Sequence, residues 1–421
     1  MCYRFTNIAN TYRSNNALNL ARNSVKFAFY TIIFAVFIFV INCGGQTFKI
    51  VYAEQNIDNI EQELGNSTQD ILNDIDFGEL EDMLTEIDST FNLFNGWSFK
   101  DYVARIIKGE ESVSIEDFIN IFLSSIKESF KNIIFPLSVI LIVVLLCLMF
   151  NNIKSGKISG VSEIIYFVCL TVVIIIVSSL CAGLIKDTKE GLSNIQEQMN
   201  VIFPILLSLM TAMGGVASVK AYTPMLAFLS NAISNIFVYV LLPLFSLSLI
   251  LSIVGNLSDN TKLTKLNGFI NSIFKWILGA VFAVFMSFLT FKGLTAGASD
   301  GISVKATKYA IKNYVPMLGG YISEGFELFK AGSLLVKNAT GFTSIILLFS
   351  TIAVPIISIG VVELGLKLLA GIIEPIGDNR SSNLLYAIAK SLKLLIVVLI
   401  GVAMMYFLTI FLLTCSVSNV L

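Results

Sequence analysis

The chain has 421 residues, of which 55% are hydrophobic and only 14% are charged. Soluble domains carry about 25% charged residues, so this chain has too little polar surface for water. It is predicted to be an all-α, polytopic membrane protein. Histidine is absent, which excludes imidazole general bases, histidine-containing triads and histidine-ligated zinc.

The net charge of −1 hides three regions of different charge. Residues 1–53 carry five bases and no acid, residues 54–131 carry 18 acids and five bases, and residues 132–421 carry 18 bases and 11 acids. We interpret them as a leader, an acidic domain outside the bilayer and a membrane domain. Because no basic face is interleaved with aromatic residues, nucleic-acid binding is not predicted.

Residues 1–53 contain the three parts of a Sec signal peptide. Basic residues such as Arg22 and Lys26 precede a 15-residue apolar run at 27–41, and a cleavage-site pattern ends at Ala53. Cleavage there would leave the acidic region outside the membrane. An uncleaved anchor is the alternative, but 15 helical residues reach only about 22 Å across a bilayer core of about 30 Å, so we favour cleavage.

Residues 54–131 are predicted to form a small helical extracytoplasmic domain. One set of apolar residues recurs at helical spacing: Leu80, Leu84, Ile87 and Phe91. A longer apolar stripe runs from Ile115 to Phe130 and predicts a helix that lies along the membrane interface and continues into the first span. This domain is either a docking surface for a partner or a cap that packs on its own membrane domain.

Residues 132–421 contain about seven apolar stretches near the ~20 residues that a helical span needs. They lie at 132–150, 164–185, 201–219, 224–254, 273–291, 342–362 and 394–414. The third stretch contains Gly214 and Gly215, where small residues permit either close helix packing or a re-entrant turn. Lys220 joins this stretch to the next and is a candidate helix cap.

Residues 292–341 are too polar to span a bilayer and too apolar for an ordinary loop. Three lysines in this block share one face of a predicted helix: Lys305, Lys308 and Lys312. Asp300 precedes them as a candidate turn or cap, and Gly319 and Gly320 follow at a predicted break. The block is therefore predicted to be a helical hairpin. It is either solvated at the lipid surface or a re-entrant pair lining a polar pathway.

No catalytic, cofactor or metal site is predicted, so the chain is not expected to be an enzyme. It has no phosphate-binding GxxxxGK[ST] sequence and no GxSxG nucleophile elbow, and its six cysteines form no metal-binding spacing. The candidate pathway or assembly residues are Gly214, Gly215, Lys220, Asp300, Lys305, Lys308, Lys312, Gly319 and Gly320.

Three stretches of the sequence resemble the stage III sporulation protein AE family. They are residues 106–110 (IIKGE), residues 210–224 (MTAMGGVASVKAYTP) and the block from Gly293 to Gly341. The order of leader, acidic domain and multi-span body is similar too. The resemblance covers about residues 55–421, and the block at 293–341 is its most specific part.

This resemblance implies a subunit of a mother-cell membrane complex in endospore-forming bacteria. Such a complex makes a channel or feeding tube, similar to an export apparatus, toward the forespore, and it is needed for late forespore gene expression under sigma G. The implied partners are other stage III sporulation membrane proteins, including a separate ATPase subunit. A forespore-side protein and a membrane insertase of the YidC class are implied as well. The implied location is the mother-cell membrane around the forespore.

A free-standing multi-pass solute transporter or permease is the alternative function. Broken helices and glycine-rich joints are typical of transporters, and a faint internal repeat relates residues 218–226 to residues 303–318. The spans, however, carry few acidic residues that could couple transport to protons or sodium. Neighbouring genes for an ATPase and for other sporulation membrane proteins would favour the channel complex.

Overall fold

The computed structural model describes residues 57–91, 96–107, 115–152, 159–257, 263–314, 319–376 and 379–416. The predicted signal peptide at 1–53 lies outside these residues, and so do the side chains of residues 291–324. Within the described part every regular element is a helix. The predicted all-α class is therefore confirmed.

The described residues form ten α-helices. They are α1 (Ile57–Asp74), α2 (Gly78–Phe91), α3 (Phe99–Ile107), α4 (Ile115–Asn152), α5 (Ser159–Ala212), α6 (Val216–Ala232), α7 (Leu242–Leu257), α8 (Thr264–Tyr314), α9 (Gly319–Ile373) and α10 (Asn379–Cys415). A π-helix, Ile233–Leu241, joins α6 to α7, and a short 3-10 helix, Glu374–Ile376, follows α9.

Six segments of these helices are long and apolar enough to cross a membrane. They are Leu123–Leu146, Phe167–Ala212, Val216–Asn256, Thr264–Thr290, Gly325–Ile376 and Asn379–Cys415. The apolar stretches predicted at 164–185 and 201–219 largely share one helix, α5, instead of forming two separate elements. The interfacial helix predicted from Ile115 likewise continues into the first span as the single helix α4.

Helices α9 and α10 form the centre of the bundle. In their most apolar windows 56% and 61% of the residues are buried inside the protein, against 17% for α4. Glycines let neighbouring helices approach closely: Gly341 on α9 faces Thr414 on α10, and Gly365 on α9 faces Leu137 on α4. The remaining helices are arranged around this antiparallel pair.

The acidic helices have their own small apolar core. The rings of Phe77 and Phe99 lie 4.8 Å apart between centroids, and Leu80 and Leu84 of the predicted stripe are buried with them. Asp76 accepts a 2.9 Å hydrogen bond from the backbone N–H of Gly78 at the start of α2. At Gly332 of α9 an added Cβ would lie 3.1 Å from Ile71 of α1, so α1 packs directly on α9.

The polar block at 292–341 consists of the end of one long helix and the start of the next. Helix α8 continues to Tyr314, and α9 begins at Gly319. The backbone of Lys305, Lys308 and Lys312 is helical within α8, but their side chains lie outside the described residues. Their role in lining a pathway stays a prediction.

Candidate functional site

Polar residues recur along one side of α9 at seven-residue intervals. We call this set the α9 polar stripe: Lys330, Lys337, Ser344, Thr351 and Ser358. Because seven residues make almost two helical turns, all five lie along one slowly rotating face. The first three are buried and the last two half-buried. Polar side chains inside apolar helices are costly unless they find partners, so their partners show what the stripe does.

Lys337 is completely buried, and its charge has a partner at the end of α10. Its Nζ donates a 2.6 Å hydrogen bond to the backbone carbonyl of Ser416. The last carbonyls of a helix lack partners within the helix and carry partial negative charge, so a lysine there both completes and stabilises the helix end. Lys337 thereby fixes the position of α10 along the axis of α9.

The C-terminal part of the stripe connects α9 to α4 and α5. Thr351 accepts a 2.6 Å hydrogen bond from Nε2 of Gln198 on α5. Ser358 and Ser129 on α4 share a hydrogen bond of 3.1 Å. Each such contact between membrane helices contributes about 0.6–2 kcal/mol. The stripe therefore sets the register of α4, α5 and α10 around α9.

A buried carboxylate lies one helical turn beyond the stripe. Glu363 on α9 is 7% exposed and accepts a short hydrogen bond from Lys367 on the same helix. Nζ of Lys393 on α10 is 3.6 Å from Glu363 Oε1. One acid thus joins two bases across the α9–α10 pair, and the two lysines keep their outer ends partly in contact with the surroundings.

A second polar cluster connects α7, α8 and α10. Ser248 lies 2.8 Å from Asn267 and 2.8 Å from Asn271. Asn267 donates a 2.6 Å hydrogen bond to Ser252, and Ser252 lies 3.2 Å from Ser391. These hydroxyl and amide groups satisfy one another where three apolar helices meet, so the cluster positions α8 on the bundle.

Gly214 and Gly215 form the sharp turn between α5 and α6. Gly214 has a φ of 86°, its N–H bonds to Thr211, and the N–H of Gly215 bonds to Met210. This hydrogen-bond pair is a Schellman motif, in which the residue just beyond the helix end, here Gly214, adopts a left-handed backbone conformation. The structure thus places a turn at these two glycines, and its re-entrant position in a membrane stays a prediction.

The other predicted residues do not meet at one described site. Lys220 is exposed on α6. Asp300, Lys305, Lys308 and Lys312 have helical backbones in α8, and Gly319 and Gly320 open α9; the side chains of these residues lie outside the described part. Lys337, Thr351 and Glu363 were not among the predicted site residues. The seven-residue spacing of polar residues in the sequence could have identified Lys337 and Thr351. Glu363 was missed because it directly follows the apolar stretch at 342–362.

The described side chains at these sites offer hydrogen bonds and charges. Among them no set of three Cys, Asp or Glu residues is arranged to hold a metal ion. Cys181 is buried, Cys169 half-buried and Cys415 exposed, each as a free thiol. The arrangement can hold helices in register and present polar groups to water or to another chain.

Comparison with known proteins identifies the family. A family model described as stage III sporulation protein AE matches residues 97–417. The chain belongs to the stage III sporulation protein AE family. Stage III sporulation protein AE of Bacillus subtilis (strain 168) is 26% identical to it over 361 residues, which cover 85% of this chain and 90% of the relative. No solved structure matches the chain.

Membership in the stage III sporulation protein AE family confirms the resemblance found in the sequence. The matched residues 97–417 include all six candidate spans, the α9 polar stripe and the Gly214 turn. The protein is therefore a multi-pass helical membrane protein with a role in sporulation.

Proposed function

We propose that this protein is a subunit of the channel complex that connects mother cell and forespore during endospore formation. It acts without catalysis, in the mother-cell membrane around the forespore. The complex resembles an export apparatus and supports late forespore gene expression under sigma G. The other subunits are stage III sporulation membrane proteins, a separate ATPase and a forespore-side protein, and a YidC-class insertase assists membrane insertion.

The length of α5 is the observation that carries this proposal. The helix has 54 residues and is about 81 Å long at 1.5 Å per residue, whereas a bilayer core measures about 30 Å. Its second half lies beside the uncharged parts of α9 and α10, because Gly191 is next to Pro355 and Leu399. Its first half must extend beyond them.

That first half of α5 is apolar and faces outward. Its exposed residues include Ile164, Phe167, Val168 and Ile175, and the adjacent end of α4 exposes Ile142, Leu146 and Met149. A single bilayer is too thin to surround both halves of α5. Apolar surface of this extent is typical of protein interfaces, so the surface outside the lipid is expected to be covered by other subunits.

A gene deletion tests the proposal. Loss of the protein should leave vegetative growth unchanged and stop spore development after engulfment, with sigma G reporters silent in the forespore. Reintroduction of the intact gene should restore spores. A growth defect on one nutrient, with normal spore counts, would contradict the proposal.

The second candidate function is a free-standing transporter, and Glu363 favours it. A buried acid between two lysines is typical of residues that couple transport to an ion. Saturable solute uptake by the purified protein in liposomes, lost in Glu363→Gln, would support this function. Absence of uptake together with the spore defect would exclude it.

A further inference from the structure

The second half of α5 presents a polar face to the outside of the bundle. We call it the α5 polar face, and it extends over residues 186–211, about 39 Å of helix. Its exposed residues are Lys186, Asp187, Lys189, Glu190, Ser193, Asn194, Glu197, Asn200, Pro204, Ser208 and Thr211. All are polar except Pro204. The opposite side of the same helix is buried and apolar, with Leu192, Ile195, Ile202 and Leu206 among its residues.

This polar face lies at the depth of the most apolar part of the bundle. Gln198 of α5 hydrogen-bonds to Thr351 on α9 at 2.6 Å, and a Cβ at Gly191 would lie 3.7 Å from Leu399 on α10. Thr351 lies within residues 338–362, and Leu399 lies within residues 394–416. Neither segment contains a charged residue. Lipid is therefore expected at this depth.

The other side of α10 exposes large apolar residues at the same depth. A Cβ at Gly401 would lie 3.6 Å from Leu278 on α8, so Leu278 and Gly191 flank α10 at one level. Near this level α8 exposes Trp276, Val284 and Phe288. Lys275 beside Trp276 is exposed as well, and its long side chain can reach toward the membrane surface.

Helix α4 also carries exposed charges beside this face, among exposed apolar residues such as Phe130 and Ile134. Its exposed charged residues Lys127, Glu128 and Lys131 surround Ser129, which hydrogen-bonds to Ser358 on α9. Both α4 and α5 thus carry exposed charges, and they lie beside the uncharged segment 338–362 of α9.

Contact between these charges and lipid would be costly. Charged side chains within a bilayer are rare, and they normally face a water-filled cavity or the interior of a helix bundle. The charges of the α5 polar face also pair only loosely: Lys186 lies 3.5 Å from Glu190, and both side chains remain largely exposed. Water is the neighbour that suits this face.

We infer that the α5 polar face lines a water-filled passage, while the α7–α8 side of the same bundle faces lipid. This inference rests on the proposed function, since other chains must close the passage. The face carries two lysines and three acids, a near balance that suits passage of hydrated polar molecules rather than selection of one ion type.

Cysteine labelling tests the inference at matched depth. In a chain whose native cysteines are replaced by serine, Glu197→Cys places a thiol on the α5 polar face. Val284→Cys places one on α8 at about the same level. Glu197 lies six residues after Gly191, which contacts α10, and Val284 lies six residues after Leu278, which contacts α10 at the same level. A charged, hydrophilic maleimide is added to membranes from sporulating cells. Labelling after SDS denaturation gives the total thiol of each variant.

The inference predicts labelling of Glu197→Cys and at least tenfold slower labelling of Val284→Cys. Protection of Glu197→Cys in membranes, with full labelling in SDS, would overturn it, because that face would then be covered by lipid or protein. Fast labelling of both thiols would overturn it as well, since both sides of the bundle at this depth would then be in contact with water and not with lipid. Spore counts of the deletion strain are read separately, so the proposed function and this inference can fail independently.

Discussion

Single residues decide how the helices of this protein fit together. Lys337 holds the end of α10 through the carbonyl of Ser416, and Gly214 supplies the left-handed backbone that turns α5 into α6. Average hydropathy does not predict the role of Lys337, because a lysine in an apolar segment is locally unfavourable, nor does it predict the left-handed backbone of Gly214. Their value lies in contacts made far along the chain or at a helix end.

Replacing Lys337 with methionine should destabilise the protein by about 1.5–3 kcal/mol, the value of a hydrogen bond made by a charged group. Methionine keeps the apolar stem but leaves the last carbonyl of α10 without its donor. Unfolding of the purified protein by SDS in mixed micelles measures the loss. Lys220→Met, at an exposed position on α6, is the control and should change stability by less than about 0.5 kcal/mol. Equal stability of both variants would contradict this role.

Replacing Gly214 with alanine should cost about 1–2 kcal/mol, because an L-residue with a side chain is strained at a φ of 86°. Gly183→Ala on α5 is the matched control. No atom lies within 4 Å of an added Cβ there, so alanine should raise stability by up to about 1 kcal/mol. Thermal unfolding in detergent compares the two. If Gly214→Ala unfolded at the same temperature as the natural protein, the turn would not need its left-handed residue.

At the scale of helices, the close approach of α9 and α10 controls the core of the bundle. An added Cβ at Gly341 would meet Oγ1 of Thr414 closer than any ordinary contact. Small residues at such crossings are typical of membrane helix pairs.

We therefore expect Gly341→Ala to destabilise the protein by about 1–3 kcal/mol through overpacking. Adding Thr414→Ala should recover part of this loss, because the obstructing atoms are gone, and a double-mutant cycle measures the coupling. Gly360→Ala on the same helix has open space around its added Cβ and should be tolerated. Additive effects of Gly341→Ala and Thr414→Ala would show that the two residues do not touch.

Most helices could be predicted from the sequence, but their continuity could not. Residues 186–190 (KDTKE) look like a loop between two spans by hydropathy, yet they contain no glycine or proline, and Lys186 pairs with Glu190 one turn later. These residues favour helix, so α5 continues through them. The helix after Ile115 was predictable because its apolar stripe keeps one period into the span.

The candidate site was predicted only in part. Gly214 and Gly215 were selected because small residues permit close helix packing or a re-entrant turn, and the structure has a turn at this position. The α9 polar stripe was missed because serine and threonine barely lower the hydropathy of residues 342–362, and their importance depends on partners on α4 and α5. The pathway role of Lys305, Lys308 and Lys312 stays a prediction.

At the scale of the whole molecule, the distribution of apolar and polar surface supports the proposal that the chain is part of a larger assembly. The first half of α5 exposes apolar residues and its second half exposes polar ones, so no single flat bilayer suits the entire outer surface. A lone folded chain would leave either apolar helix in water or charges in lipid. The neighbouring subunits proposed above would remove both costs.

Isolation of the tagged protein from sporulating cells in a mild detergent tests this account most directly. We expect a particle much larger than one chain, in which other sporulation membrane proteins are present at fixed ratios by mass spectrometry. Isolation from vegetative cells that express the same tagged protein is the control and should lack them. A homogeneous, stable single chain from sporulating cells, with no accompanying membrane protein, would contradict the account.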